Sequence, residues 1–148
     1  MITKLTPDQI SKFWPVIKYG VEATLPPITG KHVDRMNRIL SAMLRGDIDV
    51  WVSYTKPDNK FEGIAVTQVL YDDASNTKNL LLYCVYGYVP VAKESWGEGK
   101  DLIFKYAKEI GCSGVVAYTQ SQYIVDLAKF FGADTSFTFI HFDLNETV

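Results

Sequence analysis

The chain has 148 residues, 47% of them hydrophobic, enough for one domain with one substantial core and too few for two independent ones. Its 15 basic and 17 acidic residues leave a formal net charge of −2, which gives no positive field of the kind that gathers nucleic acid. The segment from Met1 to Asp8 lacks the charged and apolar regions of a secretory signal, and no stretch approaches the ~18 apolar residues of a membrane span.

Thr6-Pro7-Asp8-Gln9 is a helix-start signature, because Thr6 can cap, Pro7 suits the first helical position and Gln9 can reach back in a capping box. Ile10, Phe13, Trp14 and Ile17 follow at helical spacing, so a first amphipathic helix is predicted up to Leu25-Pro26-Pro27, kinked at Pro15. A second is predicted from Lys31 to Arg45, with Met36, Leu40, Met43 and Leu44 inward, Asp34, Arg35 and Arg38 on the wet side, and Gly46 as its C-cap. The period then changes to two. Val50, Val52 and Tyr54 alternate with Trp51 and Ser53, and a turn at Lys56-Pro57-Asp58-Asn59 leads into a strand from Phe61 to Tyr71.

A polar turn from Asp72 to Asn79 precedes Leu80 to Tyr86, whose continuous apolarity marks a strand covered on both faces at the centre of the sheet. Beyond it are predicted a third helix from Ser95 to Ile110, a short buried strand from Val115 to Thr119, and a fourth helix with Ile124, Leu127, Ala128 and Phe131 at helical spacing, ending at Gly132. A closing strand is predicted from Ser136 to Leu144, and its edge, with Phe137, Phe139 and Phe142, offers a homodimer contact. A mixed α/β sheet flanked by about four helices follows, in a single domain over residues 1–148. Cys84 and Cys112, in apolar surroundings, read as buried free thiols in a reducing cytoplasm. His32 and His141 stand far apart without a carboxylate cluster, so no metal site is read.

This order, with a central strand leading through a loop into a helix and a strand–helix pair after it, resembles the GNAT superfamily of N-acetyltransferases. The family's signature, Gln/Arg-x-x-Gly-x-Gly/Ala, opens the helix after the central strand, where backbone amides cradle the pyrophosphate of acetyl-CoA. Here the stretch reads Val89-Pro90-Val91-Ala92-Lys93-Glu94-Ser95-Trp96-Gly97-Glu98-Gly99-Lys100. The resemblance implies that Val89 supplies backbone contacts and that Glu94, Ser95, Trp96, Gly97 and Gly99 hold the pyrophosphate. Glu94 stands where the family carries Gln or Arg, and with Glu98 it puts two carboxylates beside a phosphate site, at a cost of about 1–4 kcal/mol per close like-charge pair. Lys93 and Lys100 offset part of that. The other reading of the same residues is a helix that starts near Ser95, with Ser95 its cap, Trp96 in the core and two tolerated glycines in the first turn.

The family also carries an Asn after the next strand and a Tyr on the following helix that protonates the leaving thiolate; Ser121 and Ala128 fall at those positions. Tyr123 is the substitute general acid, or else an aromatic packed at the helix start. Glu62 is the candidate general base, or else a solvated edge residue. Tyr83, Tyr86, Tyr88 and Tyr118 line the cleft or pack in the core.

A narrower similarity, carried by Phe13-Trp14-Pro15, Trp51-Val52-Ser53-Tyr54, Ala65-Val66-Thr67 and Tyr106 to Cys112, looks like the small GNAT-like proteins of tailed bacteriophages, which keep the fold and commonly lose the glycine signature. Together the resemblances imply an acetyl-CoA-dependent N-acetyltransferase-like protein acting on an amine of a small molecule or protein. The alternative is a catalytically inactive phage scaffold or interaction protein in the host cytoplasm.

Overall fold

The computed structural model describes residues 2–55, 58 and 60–144. The capping box forms as predicted: the Thr6 hydroxyl accepts the Gln9 amide hydrogen and the Gln9 side chain accepts that of Thr6, opening α1 (Pro7–Lys12). Pro15 breaks the predicted first helix instead of kinking it. With no hydrogen to give to a carbonyl one turn back, it cannot continue α1, and it sits in the first turn of α2 (Trp14–Ala23), where none is needed.

A 3₁₀ turn at Pro27–Thr29 and Gly30 at φ 69° precede α3 (Arg35–Arg45), which starts later than the predicted Lys31. Gly46, at φ 80°, ends α3 in the left-handed conformation that glycine adopts without strain. Ile39 and Met43 are buried, but Leu44 is 38% exposed, contrary to its predicted inward place, because it stands one helical step, about 100°, from Met43.

Among the described residues, five strands follow the chain in spatial order: β1 (Ile2–Lys4), β2 (Ile48–Tyr54), β3 (Phe61–Asp72), β4 (Thr77–Gly87) and β5 (Gly114–Ala117). The first four form an antiparallel meander. The β3–β4 turn is tied by the Asp72 carboxylate, which accepts from the Ala74 amide and the Ser75 hydroxyl. Of the turn predicted between β2 and β3, Lys56, Pro57 and Asn59 lie outside the described residues; Thr55 N–H donates to the Lys60 carbonyl across it. β5 runs parallel to β4, which requires a crossover, and α4 (Lys93–Glu109) supplies it. α5 (Gln122–Phe130) follows β5. Among the described residues, the break at Phe13 makes five α-helices of the four expected.

Consecutive burial of Val50, Trp51 and Val52 shows that both faces of the sheet are covered. Val50, Val52, Ile64 and Val66 pack with Ile17 and Met43 beneath α1–α3, while Trp51 and Leu80 pack with Ile103 and Ala107 beneath α4. The Trp51 indole N–H donates to the Thr67 hydroxyl at 3.0 Å, so the polar atoms of this core satisfy each other. β4 is an interior strand with Leu80 and Leu81 buried side by side, as its apolar run predicts, although β3 holds the middle of the sheet.

The predicted closing strand does not form among the described residues. Residues 136–144 make no ladder with β5; Ser136 turns back on the Asp134 carboxylate, the Phe139 ring reaches Tyr118 at 4.6 Å between centroids, and Asp143 pairs with Lys31 at 3.9 Å. β-branched and aromatic residues favour a strand only where a partner edge is met.

Leu81→Ala is expected to lower the unfolding free energy by about 2–5 kcal/mol and Leu44→Ala by under about 0.5 kcal/mol, as read from urea denaturation.

Candidate active site

β4 and β5 pair only from Asn79–Gly114 to Leu82–Ala117. Beyond Leu82, β4 runs on to Gly87 with no β5 partner, so the two parallel strands part and open a fork. The β3–β4 register shifts at the same point: Val66 pairs with Cys84 and Thr67 with Leu82, leaving Tyr83 as the extra residue of a β-bulge. Burial raises the Tyr83 phenol to about 12, opposed by the nearby Arg35 guanidinium. Burial likewise raises the Cys84 thiol to about 11.

At the mouth of the fork, the Trp96 ring lies over Gly87, where an added Cβ would come 3.8 Å from it and 3.2 Å from the Val89 carbonyl. The indole N–H of Trp96 donates to the Tyr123 hydroxyl at 3.2 Å. Gly87, Val89, Trp96 and Tyr123 are thereby gathered around one opening. Because the Tyr123 oxygen accepts, its own hydrogen is left to donate, and the residue is 56% exposed. On the α2 side, the Tyr88 hydroxyl donates to the Val16 carbonyl at 2.8 Å, and burial raises its phenol above the usual range. Gly20 makes room for this contact, since a Cβ there would come within 2.7 Å of the Tyr88 oxygen.

α4 begins at Lys93, two residues before the predicted start. Ala92 is its N-cap and offers no side-chain oxygen, so Ser95 lies inside the first turn and is not the cap. Trp96 is the first residue whose amide bonds back, to the Ala92 carbonyl, which leaves the amides of Lys93, Glu94 and Ser95 without helical acceptors. An early start agrees with Pro90 holding the approach extended and with Glu94 favouring the positive helix end. Three orphan amides fit an anionic group such as a pyrophosphate.

Gly97 and Gly99 come later in the helix and face elsewhere. A Cβ on Gly97 would meet the Phe131 ring at 3.7 Å and one on Gly99 would meet the Ile2 side chain at 3.5 Å, both ordinary contacts. Lys93 lies over the Phe130 ring at 4.4 Å, and Lys100 pairs with Asp101 at 2.9 Å.

Glu62 accepts a hydrogen bond from the Ser53 hydroxyl at 3.1 Å across the β2–β3 bulge and makes none to Trp96 or Tyr123; only its carbonyl, accepting from the Tyr88 amide, ties it to the fork strand. Ser121 caps α5, accepting from the Ile124 amide, and the Ala128 carbonyl takes the amides that end that helix. Among the described residues no group of three metal-ligating side chains occurs, and no helix is long and apolar enough to cross a membrane. The singular position of Tyr83 and the contact of Gly20 with Tyr88 have no sequence signal, because each depends on strand pairing or on approach across many residues.

No protein-family model and no curated protein matches the chain. Solved structures do. A probable acetyltransferase is 11% identical with a TM-score of 0.73, covering 100% of this chain and 99% of its own. The ribosomal-protein-alanine N-acetyltransferase of Brucella melitensis biovar Abortus is 12% identical with a TM-score of 0.69, covering 97% and 99%. A GNAT family acetyltransferase of Staphylococcus aureus subsp. aureus is 10% identical with a TM-score of 0.67, covering 97% and 98%. The chain therefore has the fold of the GNAT acetyltransferases, a five-stranded mixed sheet with flanking helices.

Tyr83 and Cys84 hold their protons more tightly in the folded chain than at their ordinary values of 10.0 and 9.0. Their contribution to stability is complete below about pH 9 and is lost as pH rises through about 11–12. Urea titrations should show a monotonic fall across that window, and Cys84→Ala should flatten its lower part.

Proposed function

We propose that the chain is an acetyl-CoA-dependent N-acetyltransferase-like enzyme that transfers an acyl group to an amine of a small molecule or protein. The observation that carries this reading is the fork between β4 and β5 with the uncapped start of α4 at its mouth. When bound, acetyl-CoA would supply an activated acyl thioester.

The amides of Lys93, Glu94 and Ser95, with the helix dipole behind them, would hold its pyrophosphate, while Trp96 and Gly97 pack that turn against Gly87 and Phe131. Gly99, further along α4, faces Ile2. Val89 and the β4 backbone beyond Leu82, unpaired on the β5 side, offer polar groups that orient the thioester. Tyr123 donates a proton to the leaving thiolate, and Trp96 positions its hydroxyl. Glu62, oriented by Ser53, takes the proton of the attacking amine through water. Attack by a neutral amine on a thioester depends mainly on positioning, so loss of the family's usual Tyr at Ala128 slows such an enzyme without forbidding it.

A second reading, a non-catalytic GNAT-like scaffold or interaction protein of a phage, is favoured by Glu94, whose charge sits in the first turn of α4 beside the orphan amides.

Titration calorimetry with acetyl-CoA decides between them. The enzyme reading expects a Kd near the micromolar range, about −8 kcal/mol. Ser95→Asp, which suits the helix start but repels an anion, should weaken binding about tenfold or more. Tyr123→Phe should lower kcat by about 10²-fold or more and leave the acetyl-CoA Kd unchanged. No binding at millimolar ligand would move the chain to the scaffold reading.

A further inference from the structure

On the α3 side of the fork, Arg35 and Arg38 stand three positions apart and so share a face of the helix. That face is not simply the wet side: Arg35 is half-buried, and both residues line a cavity of about 220 Å³. Ile39 and Ile48 contribute apolar wall, and His32 and Tyr83 stand beside the arginines. The volume lies below the ~300–1,000 Å³ of pockets for drug-sized ligands, so it suits one end of a small molecule.

The cations of this cavity, Arg35 and Arg38, form no salt bridge among the described residues, although acids outnumber bases in the chain. Arg35 Nη1 donates to the Gly30 carbonyl at 2.7 Å, which fixes one corner of the guanidinium and leaves its other donors unused by side chains. His32 sharpens the point. Its Nδ1 lies 3.1 Å from the Asp34 amide and its Nε2 lies 3.4 Å from Arg38 Nη2. A neutral ring has one hydrogen-bearing nitrogen, so whichever tautomer forms, one ring N–H meets another donor with no acceptor between them. With Nδ1 accepting from Asp34, the donors that face each other are Nε2–H and the Arg38 guanidinium, and an anionic oxygen satisfies both. The Tyr83 hydroxyl is a further donor with no hydrogen-bond partner among the described residues.

Tyr83 also fixes where the cavity leads. It is the bulged residue at which β4 leaves β5, so the cavity and the fork share it. We infer that the acceptor amine carries a carboxylate or phosphate group, which His32, Arg35, Arg38 and Tyr83 bind while the amine reaches the fork. This specificity rests on the acyl-transfer reading; the anion site itself does not.

The test has a binding arm and a kinetic arm, both on the full chain. Inorganic phosphate is titrated while the NMR signals of the arginine side chains and the His32 ring are followed. Saturable shifts at Arg35, Arg38 and His32 are expected, weakened about tenfold by Arg38→Gln and abolished by Arg35→Gln with Arg38→Gln. Acyl transfer is then compared for 2-aminoethyl phosphate, β-alanine and uncharged ethanolamine. At least one anionic amine should show a KM about tenfold below that of ethanolamine, with the preference lost in Arg38→Gln. Which of the two is preferred separates phosphate from carboxylate. Phosphate shifts indifferent to Arg38→Gln, or equal KM values for the three amines, would overturn the assignment. Arginine-dependent phosphate binding with no turnover of any amine would support the anion site and overturn the acyl-transfer reading.

Discussion

The parting of β4 from β5 after Leu82 is the constraint on which the rest of the site depends. Parallel strands in one sheet ordinarily stay paired, and here two features pull them apart. Tyr83 adds a residue to β4 against β3 and bends the strand, while β5 ends at Ala117 after four ladder positions. The unpaired backbone that results is costly in a core, and it is tolerated here because it lines an opening. The Tyr88–Val16 bond then ties the chain just past the free length of β4 to α2.

The two sides of the fork divide the chemistry. On one side lie the orphan amides of α4 and the Trp96–Tyr123 pair; on the other lies the arginine-lined cavity against α3. Both sides offer hydrogen-bond donors, and anions suit both. An acyl donor with a pyrophosphate and an acceptor with an acidic tail would then approach from opposite faces of β4, with their reactive ends meeting where the strand is bare.

Much of the fold was legible in the residues. The Thr6–Gln9 box, the Gly46 stop, the two-residue period of β2 and the unbroken apolarity of Leu80 to Tyr86 each reflect a local rule that tertiary packing did not override. The failures are non-local. Phe137, Phe139 and Phe142 have strand composition, but pairing needs an edge in register, and composition carries no information about that. Ser95 has the chemistry of a cap, yet α4 starts earlier because Pro90 and Ala92 set the backbone first. Of the candidate site, Trp96, Tyr123 and the cleft tyrosine Tyr83 are named by the sequence reading, whereas Arg35 and Arg38 read there only as wet-side residues and the bulge at Tyr83 has no signal. A bulge and a cavity exist only once separate strands and helices are brought together.

The outer edge of β5 has a consequence for the protein as a solute. Gly114–Ala117 has a strand neighbour on one side alone among the described residues, and Phe137 and Phe142, later in the chain, are each 81% exposed. With a net charge of only −2, little long-range repulsion keeps two molecules apart, so attraction between such edges is opposed mainly by dilution. The solubility of the chain and the stability of its fold are separate quantities, governed by different residues.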